Sequence, residues 1–252
     1  MTRSVSFDRI ADTYDQTRGG FVVGRNFADA VAAHVAPPPA RIAELGVGTG
    51  LVALPLTQRG YDVLGFDLSS KMIAVARERI GARVAIADVT CAAIASASCD
   101  AVVAARVLHV VGDPGAVLLE AARITRPGGR VVVILAGSNQ EAPTDDIGEA
   151  TIAMHTGRLR GPDLDTVVTL AAATDALDLV ARGLTDPLEF DESPRDHAEK
   201  IRARTWSGFW EIDDETWART AEPAIERLLA LPDPERPRRR QRSQRLAVFS
   251  RR

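Results

Sequence analysis

Short β-rich runs alternating with helical stretches of about a dozen residues, a glycine-rich turn closing the first run and an aspartate ending each of the next two predict an α/β fold with a doubly wound parallel sheet. To about Ala36 the chain reads as helical, with Phe21, Val22, Phe27, Ala30 and Val31 as its apolar residues. Pro37-Pro38-Pro39 ends that stretch, because proline lacks the donor and the φ range of a helix. Arg41–Leu45 (RIAEL) is a short buried strand, and residues 46–50 turn the chain into a helix over 51–59. A strand at 61–66, a helix at Ser70–Ile80, and strands at 83–87 and 100–105 (DAVVAA) follow. The helix at 116–126 places Val117, Ala121 and Ile124 on its apolar stripe, Pro127-Gly128-Gly129 terminates it, and 130–135 (RVVVIL) is the fifth strand.

After Ala136 the alternation stops. Residues 137–182 carry two expected helices, at 144–155 and 164–181, around a loop at 157–162, where a short connection would normally stand. An insertion of that length is expected to act as a helical lid. A strand over 183–191 comes next, then a helix that Ser193 caps and Pro194 starts, running through Trp206. A helix over 213–231 should break or kink at Pro223, and 245–250 (RLAVFS) is the last strand. The chain is thus expected to be a single domain, with a cap at 1–36, a core at 40–135, a lid at 137–182 and a C-terminal part at 183–252.

Composition narrows the setting. Of 252 residues, 46% are hydrophobic and 26% charged, the balance of a globular protein with a full core. No apolar run reaches the roughly 18 residues of a membrane span, and MTRSVSFDRI carries no signal-like stretch, so a cytoplasmic location with no membrane partner is expected. Cys91 and Cys99 give neither a disulfide framework nor a metal spacing. A formal net charge of −3 argues against a nucleic-acid partner. The arginine-rich run at 236–245 (RPRRRQRSQR) is read as a solvated loop, since no aromatic residues interleave it as stacking platforms.

The chemistry concentrates in Glu44-Leu45-Gly46-Val47-Gly48-Thr49-Gly50 at a strand-to-helix turn. Glycines there let a ligand approach the backbone, and the following helix aims free N–H groups at it. Glycines at 46, 48 and 50 do not match the G-x-G-x-x-G of dinucleotide loops, and no Gly-Lys-Ser/Thr of a P-loop occurs. An acidic residue just before the first glycine, Glu44, suits a ligand bearing an amine. Asp67 ends the second strand, where a carboxylate can accept from both hydroxyls of a ribose. Asp88 ends the third, where it could accept from an adenine amine; either aspartate could instead be an ordinary strand-end cap.

Together, E-L-G-V-G-T-G, G-F-D-L-S-S-K-M, A-D-V-T, R-V-L-H-V-V and R-P-G-G-R resemble the ordered motifs of class I S-adenosylmethionine-dependent methyltransferases, over roughly residues 40–135. Tyr14-Asp15-Gln16-Thr17-Arg18 resembles the Y-D-x-x-R segment of the small-molecule (UbiE-like, methyltransferase type 11) branch. The resemblance implies a Rossmann-like seven-stranded sheet with an antiparallel last strand, to which 184–190 and 245–250 would contribute. It implies S-adenosyl-L-methionine as cofactor. Glu44 and Gly46 would lie beside the methionine moiety, and Gly48, Gly50, Leu68 and Ala105 would also belong to the cofactor site. Asp67 would hold the ribose, Met72 would pack against the adenine, and Asp88 with Val89 would read its edge. Tyr14 and Arg18 would close over the cofactor, Arg18 near its carboxylate. Met72 also fits a core position, and Tyr14 and Arg18 also fit an N-terminal surface helix.

Methyl transfer from a sulfonium needs proximity and in-line alignment, and a base only where the acceptor loses a proton. His109 is the candidate base or a structural pocket residue, and His155 a second candidate. Arg106 could hold an acidic substrate or pair with a nearby carboxylate. Residues 105–109 (ARVLH) are not the Asn/Asp-Pro-Pro-Tyr/Phe of base-amine methyltransferases, no Pro-Cys nucleophile occurs, and no carboxylate cluster suggests a metal. The expectation is therefore metal-independent transfer to an O, N or C atom of a small-molecule acceptor, by a monomer or homodimer. Trp206, Phe209 and Trp210 are either a pocket wall or core anchors. The rival readings are a cofactor-binding fold turned to a regulatory or non-methyl role and, less well matched, a nicotinamide-dependent oxidoreductase.

Overall fold

In a computed structural model that describes residues 7–135, 145–155, 161–210 and 212–252, the chain divides into two units. The first comprises Met1–Ala136, Pro162–Asp186 and Gln244–Arg252, the second Gly137–Gly161 and Pro187–Ser243. The strands in chain order are β1 (Arg41–Leu45), β2 (Asp62–Asp67), β3 (Val84–Ile86), β4 (Cys99–Ala105), β5 (Thr125–Ile134), β6 (Leu177–Leu184), β7 (Leu188–Glu192), β8 (Arg238–Arg242) and β9 (Arg245–Arg251). The helices are α1 (Tyr14–Arg18), α2 (Gly20–Ala32), α3 (Ala53–Gln58), α4 (Ser70–Ile80), α5 (Pro114–Ile124), α6 (Asp146–Thr151), α7 (Leu164–Ala172), α8 (Pro194–Arg202) and α9 (Asp214–Leu229).

The first unit holds a seven-stranded sheet of order β3-β2-β1-β4-β5-β9-β6. β1 pairs in parallel with β2 on one side and β4 on the other, so the strand order reverses at β1. β9 runs antiparallel to both β5 and β6, which gives the expected mixed sheet with an antiparallel last strand. The inner strands are apolar on both faces because helices cover both: Ile42, Leu45, Ile134 and Phe249 are all fully buried. Burying each of these side chains contributes about 1.5–3 kcal/mol. Polar caps set the helix starts: Ser69 accepts from the Met72 N–H at 3.2 Å, and Asp113, followed by Pro114, accepts from the Ala116 N–H at 3.0 Å.

Several boundaries differ from the sequence expectation. The N-terminal helical stretch is interrupted at Gly19, whose φ of 90° separates α1 from α2. The helix after the glycine turn starts only at Ala53, because Gly50, at φ 80°, keeps Leu51 and Val52 in a turn. α5 ends at Ile124, and Pro127-Gly128-Gly129 belongs to β5, not to a helix stop. The helix expected over 164–181 stops at Ala172, and the strand expected over 183–191 is two strands: β6 joins the main sheet through β9, and β7 pairs with β8. Periodicity alone does not separate these cases, since the pairing partner decides each strand. The loop expected at 157–162 falls mostly outside the described residues, as does the side chain of His155. The stretch read as a lid over 137–182 is shared between the units, with α7 packed beside α5 in the core of the first.

The second unit packs α6, α8 and α9 around Ile147, Ile201, Phe209 and Leu228. Trp206, Phe209 and Trp217 stack edge to face at 5.7 and 5.9 Å between centroids, and the Arg204 guanidinium lies 4.2 Å over Trp217. Trp206 and Phe209 are therefore core anchors, and the Trp210 indole N–H donates to the Arg204 carbonyl at 2.8 Å. α9 continues through Pro223, whose missing N–H costs a hydrogen bond that flanking turns and the buried Ala221, Ala224 and Ile225 offset. The arginine-rich run is not a solvated loop. Residues 238–242 form β8, antiparallel to β7, and acidic partners take their guanidiniums: Asp146 at 2.8 Å for Arg238, Asp191 at 3.0 Å for Arg239, and Asp145 (2.8 Å) with Glu192 (2.6 Å) for Arg240. No helix among the described residues is long and apolar enough to cross a membrane.

Candidate functional site

The reversal of strand order at β1 opens a crevice at the carboxyl ends of β1, β2 and β4, where such sheets place their ligands. Glu44 sits on β1 opposite Gly65 and Val103, 2% exposed. Its carboxylate accepts from the Ala53 N–H, while Oε2 has no partner among the described residues. Burial, reinforced by the neighbouring charge of Asp67, lifts its carboxyl well above the usual range, against the pull of the Ala53 bond.

The Gly46 and Val47 N–H groups donate to the Phe66 carbonyl at 2.8 and 2.9 Å, which lays the glycine turn over the end of β2. Gly46, at φ 81°, cannot carry a side chain, since its Cβ would stand 2.6 Å from Val107 Cγ2. Asp67 closes the turn: Oδ2 accepts from the Gly48 N–H and Oδ1 from the Ser69 N–H, both at 2.9 Å. Burial raises its pKa, the backbone bonds from Ser69, Gly48 and Leu68 oppose that, and Asp8 adds to the rise.

The N-terminal helices lie against this turn. A Cβ on Gly24 of α2 would stand 2.1 Å from the Leu51 carbonyl oxygen, so glycine permits the close approach. Asp15 accepts from the Thr49 hydroxyl and the Arg79 guanidinium, each at 2.5 Å, and Arg79 also donates to the Thr49 carbonyl at 2.8 Å. Asp8 accepts from the Ser69 hydroxyl. Between these parts lies a pocket lined by Tyr14, Arg18, Phe27, Glu44, Gly46 and Arg106, among others. Arg18 is 5% exposed, its guanidinium 5.3 Å over the Tyr14 ring. Arg106 follows β4 with φ 56°, a left-handed conformation that costs a non-glycine residue about 1 kcal/mol or more. Its N–H donates to the Ile134 carbonyl at 2.7 Å, and its buried Nε has no partner among the described residues.

Of the residues singled out in the sequence, Tyr14, Arg18, Glu44, Gly46, Gly48 and Ala105 line this pocket, with Asp67 bonded to it through Gly48. Gly50 lies behind the turn against Ala76. Leu68 is exposed, and Met72 is 1% exposed in the core. Asp88 is exposed, and its Oδ1 accepts from the Thr90 N–H (2.9 Å) and hydroxyl (2.7 Å), whereas Val89 is buried in the core. His109 is half-buried in the turn after β4 and does not line the pocket. Sequence reasoning missed Gly24, Phe27 and the Asp15–Thr49–Arg79 link. Asp15 and Thr49 stood within the motifs already singled out, but nothing local points to Arg79. No group of three metal-ligating side chains occurs among the described residues.

Residues 43–133 match the methyltransferase domain family. Over that stretch the chain is similar to a methyltransferase domain. The cofactor of that family is S-adenosylmethionine. Over 134 residues the chain is 35% identical to a demethylmenaquinone methyltransferase of Renibacterium salmoninarum, covering 50% of this chain and 55% of that protein. Over 126 residues it is 34% identical to a phosphatidylethanolamine N-methyltransferase of Cereibacter sphaeroides, covering 47% and 62%. The chain thus spans between half and two thirds of the length of these relatives. The crystal structure of the [4+2]-cyclase SpnF shares the fold, with a TM-score of 0.61 at 17% identity over 100% of this chain and 97% of that one.

Proposed function

We propose that the protein binds S-adenosylmethionine at the carboxyl ends of β1, β2 and β4 and transfers its methyl group to an O, N or C atom of a small-molecule acceptor. The observation that carries this reading is the buried Glu44, with an unpartnered carboxylate oxygen on a pocket whose next wall is side-chain-free backbone at Gly46 and Gly48. An acceptor oxygen with no internal partner, kept out of water, suits the ammonium of a methionyl group. Asp67, fixed by two backbone N–H groups, keeps lone pairs for a vicinal diol, and Arg18 supplies a cation for a carboxylate.

When bound, the cofactor supplies an activated methyl on its sulfonium, so the protein's part is positional. The glycine turn and Asp67 would hold the nucleoside side, Glu44 and Arg18 would hold the amino-acid side, and Tyr14 with Phe27 would exclude water. Where the acceptor carries a proton, His109 at the same edge of the sheet is the candidate to take it. Titration with S-adenosylmethionine and S-adenosylhomocysteine, against NAD, tests the reading.

A further inference from the structure

Within the first unit, four hydrogen bonds tie α2 to the end of β6 and the start of β9. The Asn26 Nδ2 donates to the Asp186 carbonyl at 3.0 Å, and the Thr185 N–H to the Gln244 carbonyl at 2.9 Å. The Gln244 N–H donates to the Thr185 hydroxyl at 3.0 Å, and that hydroxyl donates to the Asp186 carbonyl at 3.4 Å. These bonds spend all four donors and leave two acceptors over. Asn26 Oδ1 and Gln244 Oε1 are buried without a partner among the described residues, on side chains whose residues are 9% and 7% exposed. The orientation of Asn26 is fixed, because only its amide nitrogen can donate to a carbonyl. The cluster is therefore short of donors, and a buried acceptor left orphaned destabilises the empty fold.

The cluster stands beside the candidate cofactor pocket. On α2, Asn26 flanks the stripe of Val23, Gly24 and Phe27 that lines the pocket. Along the sheet, the Arg106 N–H donates to the Ile134 carbonyl at 2.7 Å and the Leu135 N–H to the Arg245 carbonyl at 3.0 Å. The end of β4, the end of β5 and the start of β9 thus follow one another on one edge. Arg106 lines the pocket, so Gln244 lies two strand spacings from it, on the order of 10 Å, a span that a small ring compound fills.

Resting on the function proposed above, we infer that Asn26 and Gln244 are specificity-determining residues whose amide oxygens accept hydrogen bonds from hydroxyl or amino groups on the methyl acceptor. A carboxylate or phosphate brings further acceptors, and an apolar group brings no donor, so the pair discriminates against both.

The test uses the full chain, Gln244→Met and Asn26→Leu. The Gln244 side chain makes no hydrogen bond among the described residues, so Gln244→Met is expected to melt at or above wild type. A clearly lower melt would mark Gln244 as structural and overturn the inference. Asn26→Leu gives up the bond to Asp186 and should melt lower, so Gln244→Met decides if that variant fails to fold. Resorcinol, benzylamine and 1,3-dimethoxybenzene are titrated with and without S-adenosylhomocysteine. Wild type should bind resorcinol or benzylamine at least tenfold more tightly than 1,3-dimethoxybenzene, which keeps the ring and lacks donors. Whichever of the first two binds better separates a hydroxyl-bearing acceptor from an amino-bearing one. Gln244→Met should cut that preference to about threefold or less, with S-adenosylhomocysteine affinity within about twofold of wild type. No donor preference in wild type, the result if the two oxygens hold only water, or one unchanged in Gln244→Met, overturns the inference. A tenfold loss of S-adenosylhomocysteine affinity in Gln244→Met would place the residue in the cofactor site and overturn it too. A preference that is lost in Gln244→Met while S-adenosylhomocysteine binds neither protein would support the donor site and count against the cofactor reading.

Discussion

Asp67 is the residue whose removal separates binding from folding most cleanly. Its carboxylate bonds two backbone N–H groups of surface turns and sits outside the apolar core, so Asp67→Ala is expected to abolish cofactor binding while the circular dichroism spectrum and cooperative melt persist. Unchanged affinity in a folded variant would contradict the site. Glu44 makes a different prediction because its carboxyl is raised. Between an unfolded pKa of about 4.3 and its raised folded value, the folded chain holds more protons than the unfolded one, so stability falls as pH rises through that window. Asp67 acts in the same direction. Glu44→Gln should flatten the fall, giving a ligand-free protein that melts higher than wild type near neutral pH and binds the cofactor more weakly. Melting curves from about pH 4 to 8 with the same slope for both proteins would contradict this. Both acids were legible in the sequence because strand-end position and chain order mark them. The Asp15–Thr49–Arg79 link on the same turn was not, since it joins residues far apart in the chain.

At the scale of elements, the fit of α2 against the glycine turn rests on Gly24. Adding a methyl there puts Cβ 2.1 Å from a carbonyl oxygen, a contact that backbone must move to relieve, so Gly24→Ala is expected to cost about 1–3 kcal/mol and weaken cofactor binding together. A denaturation midpoint equal to wild type would contradict that packing. The core strands β1, β2 and β4 and helix α4 were legible because they are apolar runs or a capped periodic stretch bounded by glycine or aspartate. The C-terminal elements were less so. Residues 177–192 mix apolar and charged residues throughout, and only pairing with β9 and β8 divides them into β6 and β7. Six arginines in ten residues read as a loop because charge normally means solvent, whereas here each of Arg238, Arg239 and Arg240 meets an acid supplied from elsewhere in the chain.

For the whole molecule, the two units carry separate reporters. The three tryptophans, Trp206, Trp210 and Trp217, all belong to the second unit. That unit centres its charge on Glu192, 5% exposed. Burial opposes its ionisation, but His197 at 2.8 Å and Lys200 at 2.6 Å hold its carboxyl far below the usual range. A depressed folded pKa stabilises the fold above the unfolded value near ~4.3 and loses that stabilisation as pH falls below it. Tryptophan fluorescence should therefore report an acid transition that Glu192→Gln shifts, and Arg240→Met, which leaves a buried carboxylate short of a partner, should cost about 3–5 kcal/mol. An acid titration and a melt indistinguishable from wild type in both variants would contradict the network's role. The fold and the cofactor site form the central claim, and calorimetric titration of the purified protein tests it most directly. Micromolar binding of S-adenosylmethionine and S-adenosylhomocysteine with none of NAD is the predicted result. A folded protein that binds neither adenosyl ligand, or that binds NAD instead, would contradict it.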